Sequence, residues 1–221
     1  MGYHILPAVI SFNVPFSCIS SNIIYCQKDF NAEETLKFYR NEIELINLKS
    51  GDTLVDIGAG YGYVNALYAS LVPNIFQVLL DTDKKVLSRS NLKQAYKEIR
   101  KSTHSAFNFN YDFKISLKDS IPLDPSSCNK ILCRRSLHEF TEPSKMLKEI
   151  RRVLKDSGEV VIIEAQPKRK GIRDDYCGLP YLMPDEIIKM FTDHKFILKN
   201  QQKEEMNLIG KGTFSVLTFT K

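Results

Sequence analysis

The ten residues from Thr53 to Gly62, TLVDIGAGYG, constrain this chain more than any other stretch. Thr53 to Ile57 form a short apolar run with β-branched residues, the pattern of a buried parallel strand. Gly58, Gly60 and Gly62 then alternate with single residues, and YVNALYASLV behind them starts a helix packed on that strand. A strand that feeds a glycine turn and then a helix N-terminus offers free backbone N–H groups to a ligand. Glycine tolerates positive φ there and lets the ligand approach the backbone. The stretch therefore predicts a nucleotide pocket, and the rest of the chain must say which nucleotide.

Strands and helices alternate around it. Leu36, Tyr39, Ile43 and Ile46 give AEETLKFYRNEIELIN a helical apolar stripe, with Asp29 or Asn31 as candidate cap. Ala66, Leu67 and Leu71 put one face of the next helix on the sheet, ended by Pro73 and Asn74. A second strand, IFQVLL, closes on Asp81 and Asp83, and an amphipathic helix is expected from Lys84 to Lys101. A third strand is expected around Phe113 to Leu117 and a fourth at KILC. Pro143 opens another helix, with Thr141 or Ser144 near its cap. After DSG comes a fifth strand, EVVIIEA, then the irregular segment QPKRKGIRDDYCGLPYLM and a helix, PDEIIKMFTDH. The last two strands, FILKNQQKEE and GTFSVLTFTK, follow without a helix between them, which makes the final one antiparallel.

With 221 residues the chain has room for one sizeable domain. The expected division is an N-terminal arm over 1–28 and a domain over 29–221. Within it lie an N-terminal helix or lid (29–49), a ligand-binding half (50–165), a substrate-facing loop (166–183) and the C-terminal helix and strands (184–221). A formal charge of +5 is too small to argue for nucleic acid, and the basic run PKRKGIR suits a solvated loop. Five scattered cysteines without a C-x-x-C pair point to reduced thiols in a cytoplasmic protein, against a disulfide framework and against zinc. No apolar run reaches the roughly 20 residues of a membrane span. The apolar start of the chain lacks a basic leader and is interrupted by Pro7 and Pro15, so it is expected to be an irregular arm.

A dinucleotide fingerprint needs G-x-G-x-x-G, but position 63 is Tyr63 and the third glycine comes one residue early. Asp56 lies just ahead of the glycines, awkward beside a pyrophosphate and suited to an ammonium or sulfonium. No G-x-x-x-x-G-K-S/T occurs, so a P-loop is excluded. Five segments in order carry a resemblance: VDIGAGYG, VLLDTD, KDSIPL, KILCRRSLHEF and MLKEIRRVLKDSGEVVIIE. The chain resembles class I S-adenosylmethionine-dependent methyltransferases, of the small single-domain kind that includes ubiquinone- and menaquinone-biosynthesis enzymes, from roughly Leu45 to Lys221. It departs from the pattern at Asn129, where the family usually has Asp at a mainly structural position, and at Asp156-Ser157-Gly158, where a Pro-Gly turn is usual.

The resemblance implies a Rossmann-like seven-stranded α/β sheet, mostly parallel with an antiparallel last strand and helices on both faces. It implies S-adenosylmethionine as cofactor, no metal and a small-molecule methyl acceptor, with nucleic acid disfavoured. Cofactor contacts are expected from Asp56, Gly58, Ala59, Gly60, Gly62, Asp81, Thr82, Asp119, Ser120 and Arg134. Asp81 would take both ribose hydroxyls and Asp119 the adenine amine, while Gly62 is expected to serve mainly helix packing. For the segment after the fourth strand two readings stand. In one, an arginine pairs with Glu139 and His138 starts a helix; in the other, His138 is catalytic and accepts the substrate's proton. An RNA or protein methyltransferase, a non-catalytic adenosylmethionine-binding protein and a nicotinamide oxidoreductase remain as alternatives.

Overall fold

A computed structural model describes residues 32–206 and 212–221. The arm expected over 1–28 and the caps Asp29 and Asn31 lie outside the described residues. Strand β1 (Thr53–Ile57) is central and pairs in parallel with β2 (Phe76–Asp81) on one side and β4 (Cys128–Arg134) on the other. Next come β3 (Tyr111–Ile115) beyond β2 and β5 (Leu154–Ala165) beyond β4, also parallel. At the far side β7 (Gly212–Thr220) runs antiparallel between β5 and β6 (Ile197–Met206), giving the order β3-β2-β1-β4-β5-β7-β6. The chain winds outward in both directions from β1 and β4, so a crevice opens between their carboxyl ends.

Successive strand residues point to opposite faces, and the core divides accordingly. Leu54, Leu132, Val161 and Ile163 pack with helices α1 (Ala32–Leu45), α2 (Tyr63–Leu71) and α3 (Arg89–Thr103). Val55, Ile57, Ile131, Cys133, Val160 and Ile162 pack with α4 (Pro143–Val153) and α5 (Pro184–Asp193). The three-layer α/β/α architecture is the one the alternating pattern predicts.

Some boundaries differ from expectation. Helix α3 starts at Arg89 rather than Lys84, because Asp83 first turns the chain: its carbonyl accepts the amides of Val86 and Leu87. Ser88 then caps the helix by accepting the Asn91 amide. Neither Thr141 nor Ser144 caps α4; Glu142 holds that position with no side-chain cap bond. Asn129 has the structural role expected of it, its Oδ1 accepting the Thr53 amide at 2.7 Å and its Nδ2 donating to Asp52. Strand β5 begins directly after α4 at Leu154, opposite Cys128, and pairing resumes only at Glu159 opposite Lys130. The residues between, including Asp156, Ser157 and Gly158, bulge out of the ladder.

Candidate cofactor and acceptor site

A cleft of about 450 Å³ lies at the carboxyl ends of β1, β2 and β4. Its floor is the glycine turn. Gly58 has φ 87°, and a Cβ there would stand 2.5 Å from the Ser136 Cβ, so the strand end passes the segment after β4 at a distance only glycine permits. Gly62 has φ 78° and meets Leu92 of α3 rather than the cleft, which makes it a helix-packing residue.

Asp81 closes β2 and lies in the cleft wall. Its Oδ2 accepts the Gly60 amide at 3.0 Å and its Oδ1 the Asp83 amide at 2.9 Å. Each oxygen keeps a further lone pair for a ligand. Burial raises the Asp81 pKa above its ordinary value, against the pull of the Asp83, Gly60 and Thr82 amides. Gly58, Gly60, Asp81 and Thr82 thus share one cleft with Tyr61 and Ser136. Ala59 is buried beneath the turn, its amide bonded to the Leu80 carbonyl.

Asp56 stands behind the turn. It is 4% exposed, its Oδ2 accepts from Asn65 at 2.9 Å, and its Oδ1 is buried without a hydrogen-bond partner. Burial pushes its pKa up to about 6, the Asn65 bond and the Arg134 charge opposing. Asp119 and Ser120 lie outside the cleft lining. The Asp119 carboxylate is exposed and 3.7 Å from Lys145, and Ser120 forms an isolated bridge with Leu117. Ser116 and Lys118 line that end of the cleft instead. The alternation of β3 was the available signal, because the Ser116 amide continues the ladder to the Asp81 carbonyl.

Arg134, expected on the cofactor, lies elsewhere. It shares the strand face of Leu132, toward α1, where its Nε donates to both oxygens of Glu42 at 2.9 and 3.1 Å. Its guanidinium lies 5.7 Å from the Tyr39 ring. Tyr68 donates to the same Glu42 carboxylate.

The segment after β4 forms a 3-10 turn over Leu137–Glu139, not the start of an α-helix. Among the described residues no arginine ion-pairs with Glu139; Arg135 lies over the Phe214 ring at 5.8 Å. His138 Nδ1 meets Glu164 Oε2 at 2.9 Å, and the same carboxylate accepts the Leu137 amide. Burial disfavours the charged ring, but Glu164, Glu139 and Asp174 outweigh it and raise the His138 pKa. Glu139, Phe140, Cys177 and Leu179 also line the cleft.

A sheet that reverses at β1 and β4, with a glycine turn there and a carboxylate closing β2, defines a doubly wound α/β domain with its crevice at the switch point. The comparisons are more specific. A family model described as a methyltransferase domain matches residues 48–211, and the chain belongs to that family. A curated relative, the uncharacterized methyltransferase YcgJ of Bacillus subtilis (strain 168), is 22% identical over 136 residues, covering 62% of this chain. That alignment spans 49% of YcgJ, about half its length. Among solved structures, a SAM-dependent methyltransferase from Aquifex aeolicus superposes with a TM-score of 0.60 at 18% identity, over 87% of this chain and 100% of that one. A SAM-dependent methyltransferase from Methanosarcina mazei gives 0.60 at 18% over 79% and 94%. The cyclase SpnF gives 0.64 at 17% over 86% and 82%. A cyclase on this fold is a reminder that the fold alone does not set the chemistry. No helix among the described residues is long and apolar enough to cross a membrane.

Proposed function

We propose that this chain transfers a methyl group from S-adenosylmethionine to a small-molecule acceptor. The observation that carries the reading is the Asp81 carboxylate, held in the cleft by the amides of Gly60 and Asp83 with a lone pair free on each oxygen. Two such oxygens suit two vicinal ribose hydroxyls. In this reading the backbone of Gly58, Gly60 and Thr82 borders the cofactor, Ser116 and Lys118 face its base, and Asp119 and Ser120 flank that end. Asp56 steadies the turn from behind and supplies negative charge toward the methionyl ammonium.

The bound cofactor supplies an electrophilic methyl group on a sulfonium. The protein's part is to hold the acceptor in line with it and to exclude water. Ser136, Phe140, Cys177 and Leu179 border the acceptor end, His138 activates the nucleophile beside them, and the loop over 166–183 covers it. The cleft volume is of the order that holds small ligands. The basic run is partly engaged, Lys170 pairing with Glu186 and Arg173 donating to the Gly178 carbonyl, which weakens the case for a nucleic-acid patch.

Calorimetry with S-adenosylhomocysteine and NADH, followed by transfer of labelled methyl to low-molecular-weight alcohols, phenols, thiols and amines, tests this. Adenosylhomocysteine should bind and NADH should not. Preferential NADH binding, or label transferred only to RNA or protein, would overturn it.

A further inference from the structure

At the acceptor end three side chains of different chemistry converge. One nitrogen of His138, one carboxylate oxygen of Asp174 and the sulfur of Cys177 all lie within 4.8 Å of one another. They come from two distant segments, the turn after β4 and the loop before α5. Cys177 itself borders the cleft.

His138 is the clearest sign of a missing partner. Nδ1–H donates to Glu164, which in the neutral ring leaves Nε2 as the lone-pair nitrogen. That Nε2 is buried without a hydrogen-bond partner, on a side chain 2% exposed. A buried nitrogen left unpaired is costly, so the site is built for something to meet it. Oε1 of Glu139, 3.9 Å away, is also buried and unpartnered. Asp174 is firmly positioned, its Oδ1 accepting the amides of Tyr176 and Cys177 at 2.8 and 2.9 Å and its Oδ2 the Tyr181 hydroxyl. Glu139, Glu164 and Asp174 surround a single imidazole. The cluster has more negative charge than its own residues neutralise, which favours a cationic occupant.

We propose that His138 Nε2, Asp174 and Cys177 Sγ bind one divalent transition-metal ion, zinc by preference, in the wall of the cleft, with a fourth position left open. A nitrogen, a sulfur and oxygens form a donor set for zinc rather than for magnesium or calcium. The Glu164 bond to Nδ1 is the outer contact that orients a metal-bound histidine. Zinc–ligand bonds of about 2.0–2.3 Å put tetrahedral donors roughly 3.5 Å apart, so a small contraction of the present cluster closes the site. Cys177 releases its S–H proton to solvent as the metal binds.

The site's existence is independent of the proposed function, but its role rests on that reading. An acceptor X–H, where X is oxygen or sulfur, would take the open fourth position and bind the metal as X⁻, its proton passing to the Glu139 carboxylate in the cleft wall and then to solvent. The X⁻ lone pair then forms the X–C bond to the methyl carbon. The C–S⁺ bond breaks with its electron pair going to sulfur, which leaves a neutral thioether and a methylated acceptor. His138 thus activates the acceptor through the metal and does not itself carry the proton.

The test uses metal-stripped full-length chain titrated with Co²⁺. Wild type should bind one equivalent with an intense thiolate-to-cobalt charge-transfer band, which Zn²⁺ removes by displacement. Cys177→Ser, nearly isosteric, should lose the band, and Asp174→Asn should weaken Co²⁺ binding at least tenfold. A wild type with no band, or a band that survives Cys177→Ser, overturns the site. Adenosylhomocysteine binding on the same samples keeps the two proposals apart: its loss sinks the methyltransferase reading and leaves the metal site standing. Methyl transfer at full rate in metal-free protein would overturn the metal's role.

Discussion

Asp81 and Gly60, 21 residues apart in sequence, are joined at 3.0 Å by a bond from the glycine amide to the Asp81 carboxylate. The end of β2 and the turn after β1 are therefore one unit. A ligand that takes the carboxylate also feels the position of the turn.

Replacing Asp81 by Ala removes both the proposed ribose acceptors and the anchor of the turn. Hydrogen bonds to a charged group contribute about 1.5–3 kcal/mol each, so two of them predict a loss of roughly 3–6 kcal/mol, or about 150- to 25,000-fold in affinity. Asp81→Asn keeps an acceptor for Gly60 and should fall in between. Titration with S-adenosylhomocysteine reads this out, and a change below threefold for Asp81→Ala would remove Asp81 from the binding site.

The two outer glycines should separate binding from stability. A side chain at Gly58 is strained by φ 87° and collides with the Ser136 side chain in the cleft, so Gly58→Ala should lower cofactor affinity and melting temperature together. At Gly62 the obstacle is the flexible end of Leu92, away from the cleft. Gly62→Ala should cost about 2–5 kcal/mol of stability, from its positive φ and its overlap with buried Leu92, and leave affinity within threefold. Thermal melts run beside ligand titrations would show the contrast, and equal affinity losses would refute it.

These positions show what could be read along the chain and what could not. The glycine turn, Asp81 and the strand–helix alternation are local patterns, each set by its own periodicity or turn chemistry. Arg134 ends β4 beside the ligand end, but its parity along the strand turns it away from the cleft. Two residues after buried Leu132 it must share that residue's face, which looks at α1. The cluster of His138, Asp174 and Cys177 has no sequence signature, because it forms only when two segments far apart in the chain converge. Asp119 and Ser120 matched a motif by type, whereas the ladder from β3 carries Ser116 into the cleft ahead of them.

Glu159 predicts an acid-dependent loss of stability. It bonds Lys130, which is nearly fully buried, at 2.9 Å and also pairs with Lys199. Although burial opposes ionisation, the two lysines hold its pKa down at about 2, against 4.5 ordinarily. A depressed carboxyl pKa stabilises the fold above the unfolded value and loses that contribution as pH falls through the folded one. The shift corresponds to roughly 3 kcal/mol, reduced to about 2 for the partial exposure of the carboxylate and Lys199. Urea unfolding of wild type and Glu159→Gln should differ by that amount at about pH 7, and the gap should narrow steadily between about pH 5 and pH 2. A gap independent of pH would mean that the charge is not what matters.

Helix α1 is tied to the sheet through Glu42, which is 1% exposed and receives Arg134 Nε on both oxygens and the Tyr68 hydroxyl on one. Both members of the pair left water to form it, so its net contribution is small, whereas removing one member strands the other charge in the core. Glu42→Ala should therefore cost about 3–5 kcal/mol, a fall of roughly 6–20 °C in melting temperature for a domain of this size. The apolar pair Glu42→Leu with Arg134→Met should recover most of that loss, because no unpaired charge remains. A thermodynamic cycle over the two single variants and the double variant measures the coupling. Strong non-additivity is expected. If the single losses simply add, the bond between α1 and β4 is not what holds the helix in place, and the apolar contacts of Tyr39 and Ile46 carry it alone.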